Sequence, residues 1–127
     1  LRLEARHHEP AENPAYNAAK AAMKSFTESL QHELRNTDGC NVRAHLLVPS
    51  WTTTGTADHK PGAWLPDQVV DHMMSALDRG NFYIICRDGE VTPEMDRARI
   101  LWAAGDIVEN RPPLSRWHPD FAGQFKE

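Results

Sequence analysis

The sequence predicts an α/β fold in the order helix, strand, helix, strand, helix, with the two strands parallel and adjacent. Three observations carry that prediction. Apolar residues recur at steps of three or four in separate stretches, which marks amphipathic helices. Two short runs, residues 42–48 and 82–86, are rich in branched and aromatic residues and read as strands. The segment between them is patterned as a helix, and strands joined by a helical crossover pair in parallel with right-handed connection.

Each element has its own signal. Tyr16, Ala19, Met23, Phe26, Leu30 and Leu34 line one face of a helix over residues 15–35, rich in alanine and free of Gly and Pro. Asn36-Thr37-Asp38-Gly39 stops it. Val42 to Val48 forms the first strand, ending at Pro49; its last three residues are all apolar, as in a strand covered on both faces. A long irregular stretch follows from Ser50 to about Trp64, and loops of that length in compact domains are functional or disordered. Pro66 suits a helix first turn, with Val69, Val70, Met73, Met74 and Leu77 on the apolar face up to Gly80. Phe82 to Cys86 is the second strand, closed by Asp88-Gly89. Thr92 caps a last helix with Pro93 at its first position, running to about Val108 through Ile100, Leu101 and Ala104. The organisation is therefore an irregular segment 1–14, a helical and stranded unit 15–110, and a proline-punctuated tail 111–127 holding Leu114, Trp117 and Phe121.

Composition narrows the function classes. A net charge of -4 argues against an electrostatic nucleic-acid binder. No run approaches the roughly 18 apolar residues of a membrane span, so no membrane association is expected. Two cysteines, Cys40 and Cys86, are too few for a disulfide framework and lack metal-ligand spacing, which points to reduced thiols and a cytoplasmic location. His7, His8 and Glu9 form no ligand pattern, and His32-Glu33 is followed by Asn36 where a His-Glu-x-x-His site needs histidine, so no metal is expected. Met73 and Met74 read as core. Trp51 and Trp64 bracket the long loop and suit either substrate contact or loop anchoring, while Trp102 and Trp117 suit packing or subunit contact.

The chemistry lies in Tyr16-Asn17-Ala18-Ala19-Lys20, which sets a phenol and an ammonium one turn apart on one helix face. A phenol's ordinary pKa near 10 is well above neutrality, and a fixed positive charge nearby favours the phenolate. Such a phenol can protonate a forming alkoxide or take the proton of an alcohol. A bare Tyr-x-x-x-Lys is more often an amphipathic tyrosine beside a solvated lysine. The context is what adds weight.

Tyr16 through Lys20 continues as Ala-Ala-Met-Lys-Ser-Phe-Thr-Glu-Ser-Leu, then a strand, then Pro49-Ser50-Trp51-Thr52-Thr53-Thr54. This resembles the short-chain dehydrogenase/reductase family over about residues 13–86, and the stretch from Ile100 to Asn110 and on through Asp120 resembles one bacterial branch of it. The resemblance implies the C-terminal part of a doubly wound, Rossmann-like parallel sheet. It implies an NAD(P)-dependent oxidoreductase transferring hydride to or from a small alcohol or ketone, with NAD or NADP as cofactor and a homo-oligomeric complete protein. Tyr16 then stands as the catalytic acid/base and Lys20 as its charged partner, which also holds the nicotinamide ribose. Pro49, Thr52 and Thr54 stand at nicotinamide-lining positions, with Ser50 in place of the family's glycine after the proline. The alternative is a non-catalytic α/β fragment, or a remnant that binds a partner through exposed apolar surface.

Several family features have no counterpart in the chain. The Gly-rich turn, the residue that selects NAD or NADP, and the structural asparagine are missing, and Leu1 to Ala15 contain no serine or threonine where the catalytic serine is expected. The chain thus reads as an incomplete member, inactive by itself, with apolar residues such as Phe26 and Leu30 left uncovered. In the branch it resembles, a serine loop of the form Cys-Gly-Ser-Lys-Gln-Gly-Ile-Thr precedes the helix. One coding of that loop, read from one nucleotide earlier, translates to Leu-Arg-Leu-Glu-Ala-Arg-His-His, which is Leu1 to His8. The expectation is a serine loop out of frame, with the frame restored before Asn13; the alternative is a diverged linker. The nucleotide sequence of the gene separates the two.

Overall fold

The structure is a computed structural model and describes residues 13–55, 58–87, 89 and 91–125. The expectations for residues 1–12, the out-of-frame serine loop among them, lie outside the described residues. The first helix, α1, spans Pro14–Arg35. It starts where the local chemistry allows: the Asn13 side chain accepts a hydrogen bond from the Tyr16 backbone N–H at 2.9 Å, and Pro14 needs no donor in the first turn. It ends at Asn36, whose side-chain amide donates to the His32 carbonyl at 2.9 Å. Thr37 does the same to the Glu33 carbonyl at 2.8 Å. The chain then turns through Gly39 at φ +72°, a left-handed conformation that glycine adopts without steric cost.

Strand β1 is Leu46–Val48, helix α2 is Pro66–Asp78, strand β2 is Tyr83–Ile85 and helix α3 is Pro93–Val108. The strands pair in parallel with Leu46 opposite Tyr83, Leu47 opposite Ile84 and Val48 opposite Ile85. Backbone bonds at either end, Leu46 N–H to the Phe82 carbonyl and Cys86 N–H to the Val48 carbonyl, both 2.9 Å, complete the ladder. The element order and the parallel pairing are those expected from the sequence. The fold is α/β, with three helices and a small two-stranded parallel sheet. Among the described residues no helix is long and apolar enough to cross a membrane.

The first strand is shorter than the apolar run that announced it. Val42 is exposed, and the backbone ahead of Leu46 finds partners outside the ladder. The Ala44 N–H donates to the Gln31 side chain at 2.7 Å, and the His45 ring donates through Nδ1 to the Asn81 carbonyl at 2.7 Å. A strand begins only where the ladder takes over from such side-chain partners.

The core gathers under and beside the sheet: Leu46, Ile84, Cys86, Val69, Ala76, Ala63 and Val91 are the buried apolar residues. Burial pushes the Cys86 thiol pKa up, so this sulfur stays protonated and unreactive. Helix α2 turns Val69 and Ala76 inward but leaves Val70 and Met74 half exposed, at 49% and 51%. Met74 is therefore a surface residue rather than core, and Met73 is only half-buried. The physical reason is that a two-stranded sheet is narrower than the apolar face α2 presents.

Helix α1 leaves most of its apolar stripe uncovered, as expected for Phe26 but not for Leu30. Of the six residues in its apolar stripe, Tyr16, Ala19, Met23 and Phe26 are exposed, with Phe26 at 65%, and Leu30 and Leu34 are half-buried. The helix is instead docked through an adjacent, polar strip. Thr27 is buried and spends its hydroxyl on the Met23 carbonyl at 2.7 Å; Gln31 takes the Ala44 N–H; Glu28 accepts the Tyr83 phenol O–H. Lys24 pairs with Glu28 from the preceding turn.

This polar latch between α1 and β2 titrates at both ends. Lys24 first, then the Tyr83 hydroxyl, holds the Glu28 carboxyl pKa below its ordinary value. The same carboxylate raises the Tyr83 phenol pKa, first because it accepts the phenol O–H and so favours the protonated form, with burial and the negative charge adding to the shift. The Glu28 contribution to stability is therefore complete above the ordinary carboxylate range and is lost as pH falls through the lowered value. The Tyr83 contribution is complete below the ordinary phenol range and is lost as pH rises through the raised value. In a circular-dichroism titration, Glu28→Gln is expected to flatten the acid limb and Tyr83→Phe the alkaline limb. Unchanged limbs in both variants would show that the latch contributes nothing.

Candidate active site

Residues Tyr16 and Lys20 sit in the first two turns of α1, held there by the Asn13 cap. The Lys20 Nζ lies over the Tyr16 ring, 5.3 Å from its centroid, so the two share a face as their spacing requires. Both are exposed. Lys20 falls in the same strip of the helix as Thr27 and Gln31, about two and three turns before them, and Tyr16 stands where that strip borders the apolar stripe. That strip is covered at Thr27 and Gln31 by the sheet and open at Tyr16 and Lys20.

Which end of the sheet they approach follows from two contacts. Glu28 meets Tyr83, which is level with Leu46, while Gln31, three residues later, meets Ala44, two residues earlier in the strand direction. Helix α1 therefore runs opposite to the strands. Tyr16 lies 12 residues before Glu28, about 18 Å along the axis at 1.5 Å per residue. Strands of three residues are shorter than that, so the phenol lies beyond the C-terminal ends of β1 and β2, on the side at which open α/β sheets bind their ligands.

The chain leaves β1 at that same end. Pro49 is exposed, and the Ser50 hydroxyl donates across to the Cys86 carbonyl, pinning the exit of one strand to the exit of the other. The long loop then closes on itself. Thr52 bridges to Trp64, with Thr53 N–H bonded to the Trp64 carbonyl at 2.8 Å and Trp64 N–H to the Trp51 carbonyl at 2.9 Å. Trp64 stacks edge-on against His72 of α2, with ring centroids 5.5 Å apart, so the loop is anchored to the helix that follows it. Thr53 meets His59 Nδ1 at 3.0 Å.

Of the three loop residues expected to line a ligand, Thr52 donates its hydroxyl proton to the Ser50 carbonyl at 3.0 Å, leaving its oxygen free to accept. Thr54 and Pro49 are exposed. Among the described residues, no hydrogen bond joins Tyr16 or Lys20 to this loop. The structure thus brings Tyr16 and Lys20 together, and separately organises Pro49 and Thr52 at the mouth of β1. Trp51 and Trp64 are each half-buried, and the Trp64 ring anchors the loop on α2 through His72. No group of three or more His, Cys, Asp and Glu residues is placed to hold a metal among the described residues.

Sequence reasoning missed Asn13, Glu28, Gln31 and Ser50, which place the helix and the strand exit. The Asn13-Pro14 pair was a legible start signal, a capping side chain followed by a first-turn proline. Gln31 and Glu28 carried none, because a polar residue on a helix reads as solvent-facing until its partner is known. Comparison with family models, with curated proteins and with solved structures finds no match for this chain.

Proposed function

We propose that residues 13–110 are the proton-transfer part of a nicotinamide-dependent oxidoreductase of the short-chain type, acting on an alcohol or ketone. One observation supports it most: the Tyr16 and Lys20 pair, in contact and exposed, stands toward the C-terminal end of a parallel sheet. On this reading the unit is the C-terminal part of a larger Rossmann-like sheet. Tyr16 gives its phenol proton to the substrate oxygen during reduction and takes it back during oxidation. The Lys20 ammonium offsets the negative charge that develops on the phenol oxygen, and its three donors suit ribose hydroxyls. Thr52, whose oxygen still has acceptor capacity, and the neighbouring Thr54 and Pro49 suit the carboxamide end of a nicotinamide. NAD or NADP, when bound, supplies or accepts the hydride.

The fit is to one end of such a cofactor only. The seven glycines stand at positions 39, 55, 62, 80, 89, 105 and 123, so no two are close enough for the Gly-x-Gly-x-x-Gly turn that cradles a pyrophosphate. The cradle has to come from residues outside this stretch. Purified as these 127 residues, the chain is expected to show no saturable quenching or enhancement of NADH or NADPH fluorescence at micromolar concentrations. A micromolar Kd would mean that the phosphate contacts are dispensable, and the division of labour proposed here would fail.

A second reading rests on a different observation. Met23 and Phe26, at 57% and 65% exposure, leave an apolar stripe on α1 uncovered, which suits a non-catalytic α/β unit that binds a partner. The readings part at Tyr16: partner binding tolerates loss of the hydroxyl, and proton transfer does not.

A further inference from the structure

Residues 111–125 do not trail from the fold. They return along α3 through two short 3-10 turns, Ser115–Trp117 and Pro119–Phe121, and are held by contacts with Trp102 and Asp106. Arg111 reaches back across Gly105: its Nη2 donates to the Trp102 carbonyl at 2.6 Å, its guanidinium lies 4.2 Å from the Trp102 ring centroid, and its Nε is 3.1 Å from an Asp106 oxygen. Behind it, Ser115 is fully buried, accepts from the Trp102 indole N–H at 2.7 Å and donates to Asp106 at 2.5 Å, while its own N–H meets the second Asp106 oxygen at 3.2 Å. Phe121 and Phe125 close edge-on against Trp102, at centroid distances of 6.4 and 5.4 Å.

Three features make this arrangement separable from the sheet. Helix α3 has no fully buried residue, and Ser115 is the one buried residue of the described tail, so the contact is polar and aromatic-edged rather than a shared core. The segment carrying Arg111 is bounded by two non-glycine residues in left-handed conformation: Asn110 at φ 51° takes the position that commonly ends a helix, while Leu114 at φ 61° is strained and must be held there. And α3 has a notch for Arg111: a Cβ built on Gly105 would stand 2.1 Å from Arg111 Nη2, so any other residue there makes the guanidinium shift out of its place.

We propose that residues 111–125 are a strap that opens and closes on α3 as its own cooperative unit, with Arg111 in the Gly105 notch as its latch. Segments held by few buried apolar contacts open at lower free energy than the core they rest on. The inference is independent of any role for Tyr16.

Amide hydrogen exchange on the full chain tests it. In the unmodified chain, the Ser115, Trp117 and His118 amides are expected to exchange through an opening that low denaturant does not accelerate, while the Leu46 and Cys86 ladder amides follow a denaturant-sensitive opening. Gly105→Ala favours the helix itself and removes only the notch. It should speed exchange of the three strap amides at least tenfold and leave the ladder amides unchanged. Arg111→Met should do the same, and the double variant should add nothing to the faster single one. Strap and ladder amides that share one denaturant dependence, or that accelerate together in either variant, would overturn the proposal. Strap exchange unchanged in both variants would overturn it equally.

Discussion

Replacing Tyr16 by phenylalanine, in a protein complete with its dinucleotide cradle, is expected to lower turnover by about 10²–10⁴, the range that a positioned general acid contributes. The ring remains, so the contact with Lys20 and the helix start at Asn13 remain, and cofactor affinity should hardly change. An interaction used only in the transition state lowers kcat and kcat/KM together. Lys20→Ala should behave differently, weakening cofactor binding as well as turnover, because the ammonium would serve both the phenol and the ribose. Steady-state kinetics with fluorescence titration of NADH and NADPH separates the two effects. Full activity in Tyr16→Phe would remove the proton-transfer reading and leave the partner-binding one standing.

Ile84→Ala is expected to cost about 2–5 kcal/mol, the usual range for deleting most of a fully buried aliphatic side chain. Ile84 is 1% exposed in the centre of β2, opposite Leu47 of β1, and few other large side chains share its burial. A domain of this size has only about 5–15 kcal/mol of stability in total, so the loss is a large fraction of what holds the sheet together. Val70→Ala provides the contrast: 49% exposed on α2, it should change stability by no more than about 0.5 kcal/mol. Urea denaturation followed by circular dichroism compares them. Equal midpoints for the two variants would show that burial of Ile84 in the two-stranded sheet does not carry this chain's stability.

The two predictions address different halves of the same arrangement. Ile84 and its neighbours fix the strand ends; Asn13, Glu28 and Gln31 fix where Tyr16 stands relative to them. A defect in the second group should move the phenol without unfolding the sheet. The strap on α3 is a third unit, held by Arg111 and Ser115 rather than by the sheet's core.

The sequence by itself determined the number, order and type of the elements, because those follow from local chemistry. Prolines at the first helical positions, the Asn13 and Thr92 caps, the period of apolar residues and the run of branched side chains all act within a few residues of where they stand. The helical crossover between two apolar runs likewise determined parallel pairing. The Tyr16 and Lys20 contact belongs with these, being a matter of one helical turn. Only the tertiary structure decided which face of α1 docks, since that rests on Gln31 meeting Ala44 and Glu28 meeting Tyr83, contacts 13 and 55 residues apart in the chain. The apolar stripe of Met23 and Phe26 stays exposed, because periodicity reports where apolar residues lie and not how much sheet there is to cover them. It was also the tertiary structure that folded the loop back through Thr52 and Trp64, and laid Arg111 across Gly105. In each case the partner is distant in sequence, and no local pattern encodes the distance between two side chains that meet only after the chain has folded.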